Sequence, residues 1–219
     1  MEEAALGIDR PQTMGEEIAN SVSHGAGLLA AAAGVPFLIL RGLHSVRGAP
    51  AVVGAVVFAA AVVLVYTASS VYHAWPRGRA KHVLRVVEHS AIFFLIAGTY
   101  TPFTLSVLRG PLGWTLLVVV WTLALFGVGL KVFGGLRYPR LSTGLYLAMG
   151  WMAVVAIRPL YLGLPHAGFL WLVAGGLSYT LGVVFYLTDH RLRYGHFLWH
   201  LFVMGGTACH FFVVLRYAL

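Results

Sequence analysis

Charged side chains are scarce in this chain of 219 residues, since Asp, Glu, Lys and Arg together make up 10% of it. A soluble domain usually carries roughly 25% charged residues. Hydrophobic residues make up 59% of the chain, and its mean hydropathy is +0.84. This composition argues against a soluble enzyme and predicts a polytopic membrane protein.

Acidic residues and cysteine are scarcer still. Seven Asp and Glu stand against fifteen Lys and Arg, for a net charge of +8. The basic residues fall in short loops between apolar runs, where they suit contact with anionic lipid headgroups, so we predict no nucleic-acid partner. The single cysteine, Cys209, excludes an internal disulfide and a cysteine-based zinc site.

Segments without charge divide the chain into seven apolar stretches. They cover residues 18–40, 48–72, 89–108, 110–130, 141–157, 159–188 and 194–215. A helix needs about 20 apolar residues to cross the hydrocarbon core, and six stretches meet that length alone. The fifth is slightly short, but Arg158 can reach the interface with its side chain. We therefore predict an all-α bundle of seven transmembrane helices over residues 18–219, after a polar segment of residues 1–17.

Lys and Arg are distributed unevenly between the two sides of this bundle. Ten of the fifteen lie in the N-terminal segment and in the loops after the second, fourth and sixth spans. The positive-inside rule places that side in the cytoplasm, with the C-terminus outside. The polar, acidic N-terminus is unlike a signal peptide, so the first span is expected to direct insertion.

Polar side chains gather near the cytoplasmic end of three predicted helices. Ser69 and His73 end the second span, Glu88 begins the third, and His196 and His200 begin the seventh. Ionisable groups inside a span usually face the bundle interior and mark function. A lone histidine is more often a packing residue, but three histidines and a carboxylate at one depth favour a metal site. His73, His196 and His200 are the predicted ligands. Their spacing does not identify which metal they bind.

Other polar residues lie near this cluster or beyond it. Asn20 and His24 lie at the cytoplasmic end of the first span, and we expect them to support the ligands, although a polar helix cap is the alternative. His89 points about 100° away from Glu88 around the helix, so it either packs or supports the site from behind. His210 lies about 15 Å beyond His200 along the seventh helix and belongs to the outer leaflet.

Four stretches resemble a known family. They are NSVSHGAG (20–27), SSVYHAW (69–75), EHSAIFFLIAGTYTPF (88–103) and GHFLWHLFVMGGTACHF (195–211). They are similar to the hemolysin III proteins of bacteria, which belong with the progestin and adipoQ receptors, including the adiponectin receptors, and more distantly with the alkaline ceramidases. The resemblance extends from about residue 16 to the end of the chain.

The resemblance implies a metal identity and residue roles. It implies a seven-helix protein of the bacterial plasma (inner) membrane that holds zinc near the cytoplasmic face, with His73, His196 and His200 as ligands. Ser69 is the serine of the family's S-x-x-x-H motif. Glu88 stands where most members carry aspartate, and because glutamate is one methylene longer, direct ligation and contact through water both stay open.

Three functions follow as hypotheses. The first is a zinc-dependent hydrolase of a lipid amide or ester, in which Glu88 transfers protons and Ser69 donates a hydrogen bond. The second is a membrane-homeostasis or lipid-sensing protein without enzymatic activity, with a structural zinc that Glu88 completes as fourth ligand. The third, a pore-forming haemolysin, is disfavoured because the spans are too apolar to line a pore. A membrane lipid is the expected partner in the first two.

Overall fold

A computed structural model describes residues 10–219, so the first nine residues of the predicted polar segment lie outside the described residues. The described helices are α1 Met14–Leu43, α2 Ala49–Ala74, α3 Arg79–Pro102, α4 Gly110–Gly134, α5 Pro139–Trp151, α6 Ile157–Gly163, α7 His166–Thr188 and α8 Gly195–Val213. A 3-10 turn over Met152–Ala156 joins α5 and α6 into one span. Over residues 10–219, seven helical spans are long and apolar enough to cross a membrane, which confirms the predicted seven-helix architecture.

Several helix boundaries differ from those predicted. Helix α3 begins at Arg79, nine residues before Glu88, although the predicted span starts close to Glu88. Lys and Arg are good helix formers, so the basic segment continues the helix past the apolar stretch. The fifth span ends at Gly163, beyond the exposed Arg158, because the 3-10 turn before Pro159 accommodates a residue that has no backbone N–H.

The helices form a closed bundle with α2 and α3 innermost. More than half of the most apolar window of each is buried, 56% in α2 and 61% in α3, against 17% in α7. Each span packs on a neighbour in the chain, and α1 also packs on α8. The starts of α1, α3 and α8 therefore meet the end of α2 at one end of the bundle, which we call the N-terminal face.

Close contact between α2 and α3 depends on a glycine. A Cβ atom at Gly54 would lie 2.7 Å from Cα of Pro102. Small residues at such crossings let helix backbones approach closely, which is the usual means of packing in a membrane. This close approach fixes the position of α2 against α3, and these two helices carry His73 and Glu88.

The buried Glu16 side chain connects the start of α1 to the start of α8. Thr13 caps α1, and its backbone N–H donates to Glu16 at 3.0 Å. The backbone N–H of Tyr194, just before α8, donates to the same carboxylate at 2.9 Å. Arg10 binds both carboxylate oxygens, and this hydrogen bonding raises the pKa of its guanidinium. Helices α1 and α8 are thus fixed to each other at the N-terminal face.

Candidate metal centre

Three imidazoles converge at the N-terminal face. His73 lies in the last turn of α2, and His196 and His200 lie in the first two turns of α8. The ring centroid of His73 is 5.1 Å from those of His196 and His200, which are 4.8 Å from each other. With Glu88 of α3, each residue offers one ligand atom, and these four atoms lie within 4.8 Å of one another. The four residues predicted to meet at one depth are therefore brought together.

Each of the three rings is held through its Nδ1 atom by an oxygen outside the triangle. Nδ1 of His73 lies 2.8 Å from Oε2 of Glu17, and Nδ1 of His196 lies 3.0 Å from Oδ2 of Asp189. Nδ1 of His200 lies 3.0 Å from Oγ of Ser23 and 3.2 Å from the backbone oxygen of Asn20, to which Ser23 donates its own hydroxyl proton. Because these oxygens accept, each Nδ1 carries the proton, and each Nε2 keeps its lone pair for a metal.

Glu88 is oriented by Ser69, which lies one helical turn before His73 on the same face of α2. The Ser69 hydroxyl donates to Oε1 of Glu88 at 2.6 Å, and that oxygen is 3.4 Å from Nε2 of His73. The other oxygen, Oε2, is buried and has no hydrogen-bond partner within residues 10–219. Ser69 thus occupies one carboxylate oxygen and leaves the second available to a ligand.

This donor set fits a metal ion. Nε2 of His73 and Oε2 of Glu88 are both buried without a hydrogen-bond partner among the described residues. Leaving such atoms unpaired in a membrane protein is costly, so a bound group that contacts them is expected. Imidazole nitrogens and a carboxylate oxygen suit zinc as well as other transition metals, so the donors do not identify the ion.

Two of the three predicted supporting residues contact the triangle. Asn20 holds His200 through its backbone oxygen, and its side-chain nitrogen lies 3.5 Å from Nδ1 of His73. The His24 ring stacks on His200, with centroids 3.6 Å apart and an interplanar angle of 6°. His89 lies outside the triangle, because its ring faces Tyr186 with centroids 6.5 Å apart.

The contacts that Glu17 and Asp189 make with His73 and His196 are not predicted from the sequence. Glu17 ends the predicted polar segment of residues 1–17, and Asp189 lies between α7 and α8. The composition could have pointed to both residues, because the chain has only two acidic residues after Glu17, namely Glu88 and Asp189. In a chain this poor in carboxylates, each one near a histidine-rich end is a candidate to orient a ligand.

A cavity of about 270 Å³ begins at this centre and extends between the helices toward the opposite face. Ser69, Glu88 and His200 line one end, and Phe103 and His210 lie toward the other. Most of its wall is apolar, formed by side chains such as leucine, valine and isoleucine. The polar centre therefore lies at the end of a space that suits a hydrocarbon chain.

The sequence is similar to those of several known proteins. Residues 12–211 match a family described as Haemolysin-III related. The chain is similar to Hemolysin-3 of Bacillus cereus, with 45% identity over 210 residues that cover 95% of this chain and 94% of that protein. It is also similar to the Hemolysin-3 homolog of Bacillus subtilis (strain 168), with 43% identity over 207 residues and coverages of 94% and 96%. Monocyte to macrophage differentiation factor of Homo sapiens is 27% identical over 157 residues, with coverages of 69% and 65%.

Proposed function

The chain belongs to the Haemolysin-III related family of multi-pass bacterial membrane proteins, and from that premise we propose that it is a zinc-dependent hydrolase that cleaves an amide or ester of a membrane lipid. The cavity that starts at Ser69, Glu88 and His200 is the observation that supports this most strongly. A lipid with its acyl chain in this cavity would hold its carbonyl group beside the three imidazoles. Its leaving group would lie toward the N-terminal face.

We further propose that the N-terminal face is cytoplasmic. The N-terminal segment, the loops and the helix ends at this face carry ten of the fifteen Lys and Arg, and the cytoplasmic side is usually the richer in these residues. The centre would then lie close to the headgroups of the inner leaflet, where the amide or ester of a lipid is found.

The proposed chemistry divides between the ion and two side chains. A zinc ion held by His73, His196 and His200 would supply Lewis-acid chemistry, which polarises an acyl carbonyl and lowers the pKa of water so that it loses a proton near neutral pH. Glu88 takes the water proton on its free oxygen and returns it to the leaving group. Ser69 holds the other oxygen at 2.6 Å, so that Glu88 presents Oε2 in one direction.

A structural zinc in a non-enzymatic lipid-sensing or membrane-homeostasis protein is the second candidate. The observation in its favour is that the Glu88 carboxylate and three imidazoles all lie within 4.8 Å of one another. Four protein ligands make a closed tetrahedral shell, which is typical of structural zinc. In that case zinc would tie α2, α3 and α8 together, and Glu88→Gln would lower zinc affinity.

The deciding experiment measures metal content and lipid cleavage on the same samples. Purified wild-type protein, Glu88→Gln, His200→Ala and the exposed control His82→Ala are analysed by mass spectrometry for metal. Each sample is then assayed for fatty-acid release from total bacterial lipid and from ceramide. We expect one zinc per chain in the wild type, Glu88→Gln and His82→Ala. Fatty-acid release should be lost in Glu88→Gln and kept in the wild type and His82→Ala.

Other results would overturn the proposal in distinct ways. Equimolar zinc with no fatty-acid release from either lipid source would favour the structural metal. Release that persists in Glu88→Gln would remove this carboxylate from the chemistry. Full zinc content in His200→Ala would show that the triangle is not the metal site.

A further inference from the structure

The cavity contains a second polar feature, His210, far from the metal centre. His210 follows His200 by ten residues on α8, which places it about 15 Å further along the helix. The residue is 7% exposed and lines the same cavity as His200. The metal centre does not use it, since a ligand atom at that distance cannot reach the same ion.

One ring nitrogen of His210 has a partner and the other has none. Nε2 lies 3.1 Å from the backbone oxygen of Leu172 in α7. A carbonyl oxygen only accepts, so Nε2 carries the proton and Nδ1 is a bare acceptor. Nδ1 is buried and has no hydrogen-bond partner within residues 10–219.

No nearby polar side chain on the described cavity wall is free to donate a hydrogen bond to Nδ1 of His210. The hydroxyls of nearby lining residues have partners within the protein: Thr99 donates to the Leu95 oxygen at 2.7 Å, and the Tyr179 hydroxyl lies 2.8 Å from the Thr207 hydroxyl. The other unpaired buried atoms on the described part of the cavity wall belong to His24 and Glu88, beside the metal centre. Such an atom in an apolar wall calls for a donor from outside the chain.

We infer that Nδ1 of His210 accepts a hydrogen bond from a hydroxyl group carried by the acyl chain of the lipid. The inference rests on the proposed function, because it takes the cavity as the acyl-chain site. It narrows the ligand class to lipids whose chain is hydroxylated well away from the carbonyl. A hydroxyl next to the carbonyl would lie beside the zinc centre instead, about 15 Å from His210 along α8.

A preference of about two- to tenfold in binding follows, because one buried hydrogen bond contributes roughly 0.5–1.5 kcal/mol. The probes are 12-hydroxystearic acid, stearic acid and 3-hydroxystearic acid, each competed against a fluorescent fatty acid on purified protein in detergent. We expect 12-hydroxystearic acid to bind more tightly than the other two. His210→Phe should abolish this preference and keep stearic acid binding, since phenylalanine fills the space without an acceptor.

Two further variants keep the test decisive. Thr180→Val removes a lining hydroxyl already satisfied by Gly176, so the preference should stay unchanged. His210→Gln retains an acceptor and should retain part of the preference, and it replaces His210→Phe if that variant does not fold.

The outcomes separate this inference from the proposed function. Equal binding of all three acids to the wild type would overturn the inference, and an ordered water would then explain the free nitrogen, while the acyl-chain cavity would stand. A preference that survives in His210→Phe would also overturn it. Binding of none of the acids would overturn the lipid proposal itself, and this inference with it.

Discussion

His73 donates a hydrogen bond through Nδ1 to Oε2 of Glu17 over 2.8 Å, which joins the end of α2 to the first turn of α1. Lys81 of α3 donates to the other oxygen of Glu17 at 2.6 Å. One carboxylate therefore fixes the orientation of a proposed metal ligand and is fixed in turn by a cation from a third helix. Partners of this kind set the tautomer of a metal-binding histidine and raise its basicity.

Loss of Glu17 should weaken zinc binding although Glu17 is not a ligand. We expect Glu17→Ala to lower zinc affinity about 10–100-fold, the usual effect of removing such a partner. Glu17→Gln keeps an acceptor oxygen for Nδ1 and should lose less. Competition with a chromogenic chelator measures both, with the exposed His82→Ala as control. Wild-type affinity in Glu17→Ala would show that His73 needs no such partner.

Removal of any one of the three imidazoles should cause zinc loss and remove the stabilisation that bound zinc provides. His73→Ala, His196→Ala and His200→Ala are each expected to lose most of their zinc. Binding to the native state stabilises it by about 2.7 kcal/mol when free zinc is about 100 times Kd, so chelation should lower the Tm of the wild type. The same chelator should leave the Tm of the three variants unchanged. A chelator-dependent Tm in all three would contradict the assigned ligands.

The contact between α2 and α3 predicts a stability difference between two glycines. In Gly54→Ala the added methyl would meet a backbone atom of Pro102 that no side-chain rotation can move. We expect a loss of about 1–3 kcal/mol, seen as a lower Tm in detergent. Gly129→Ala in α4 is the matched control, since nothing lies within 4 Å of its added Cβ, and its Tm should not fall. Equal Tm values would mean that the crossing is not tight.

Orientation in the membrane can be tested with cysteines. In a Cys209→Ala background, His82→Cys marks the N-terminal face and His166→Cys marks the opposite one. We expect a membrane-impermeant maleimide added to intact cells to label His166→Cys, and His82→Cys only after permeabilisation. The reverse pattern would place the metal centre at the outer leaflet.

The sequence was sufficient to predict the seven spans and the meeting of His73, Glu88, His196 and His200. Charged residues mark the helix ends in an apolar chain, and ionisable side chains inside a span have few places to go other than the interior. The exact start of α3 was not predictable in this way, since Arg79 and Lys81 extend the helix beyond the apolar stretch whose length was counted.

The supporting residues were harder to predict because side-chain direction decides them. Glu17 lies in the first turn of α1, where a carboxylate is also explained as a favourable charge near a helix N-terminus. His89 is next to Glu88 in the chain but faces Tyr186. The cavity depends on the volumes of side chains from several helices, which no pattern within one helix reveals.

Helix α8 leaves the ribosome after the other six spans, and it carries two of the three imidazoles. Glu16, near the start of α1, accepts a hydrogen bond from the backbone just before α8. This contact between the first and the last span can form only after α8 has been made. Synthesis proceeds from the N-terminus, so a nascent chain that ends before α8 presents only His73 and Glu88. If the centre holds zinc as proposed, the full ligand set would become available only after the last span is made.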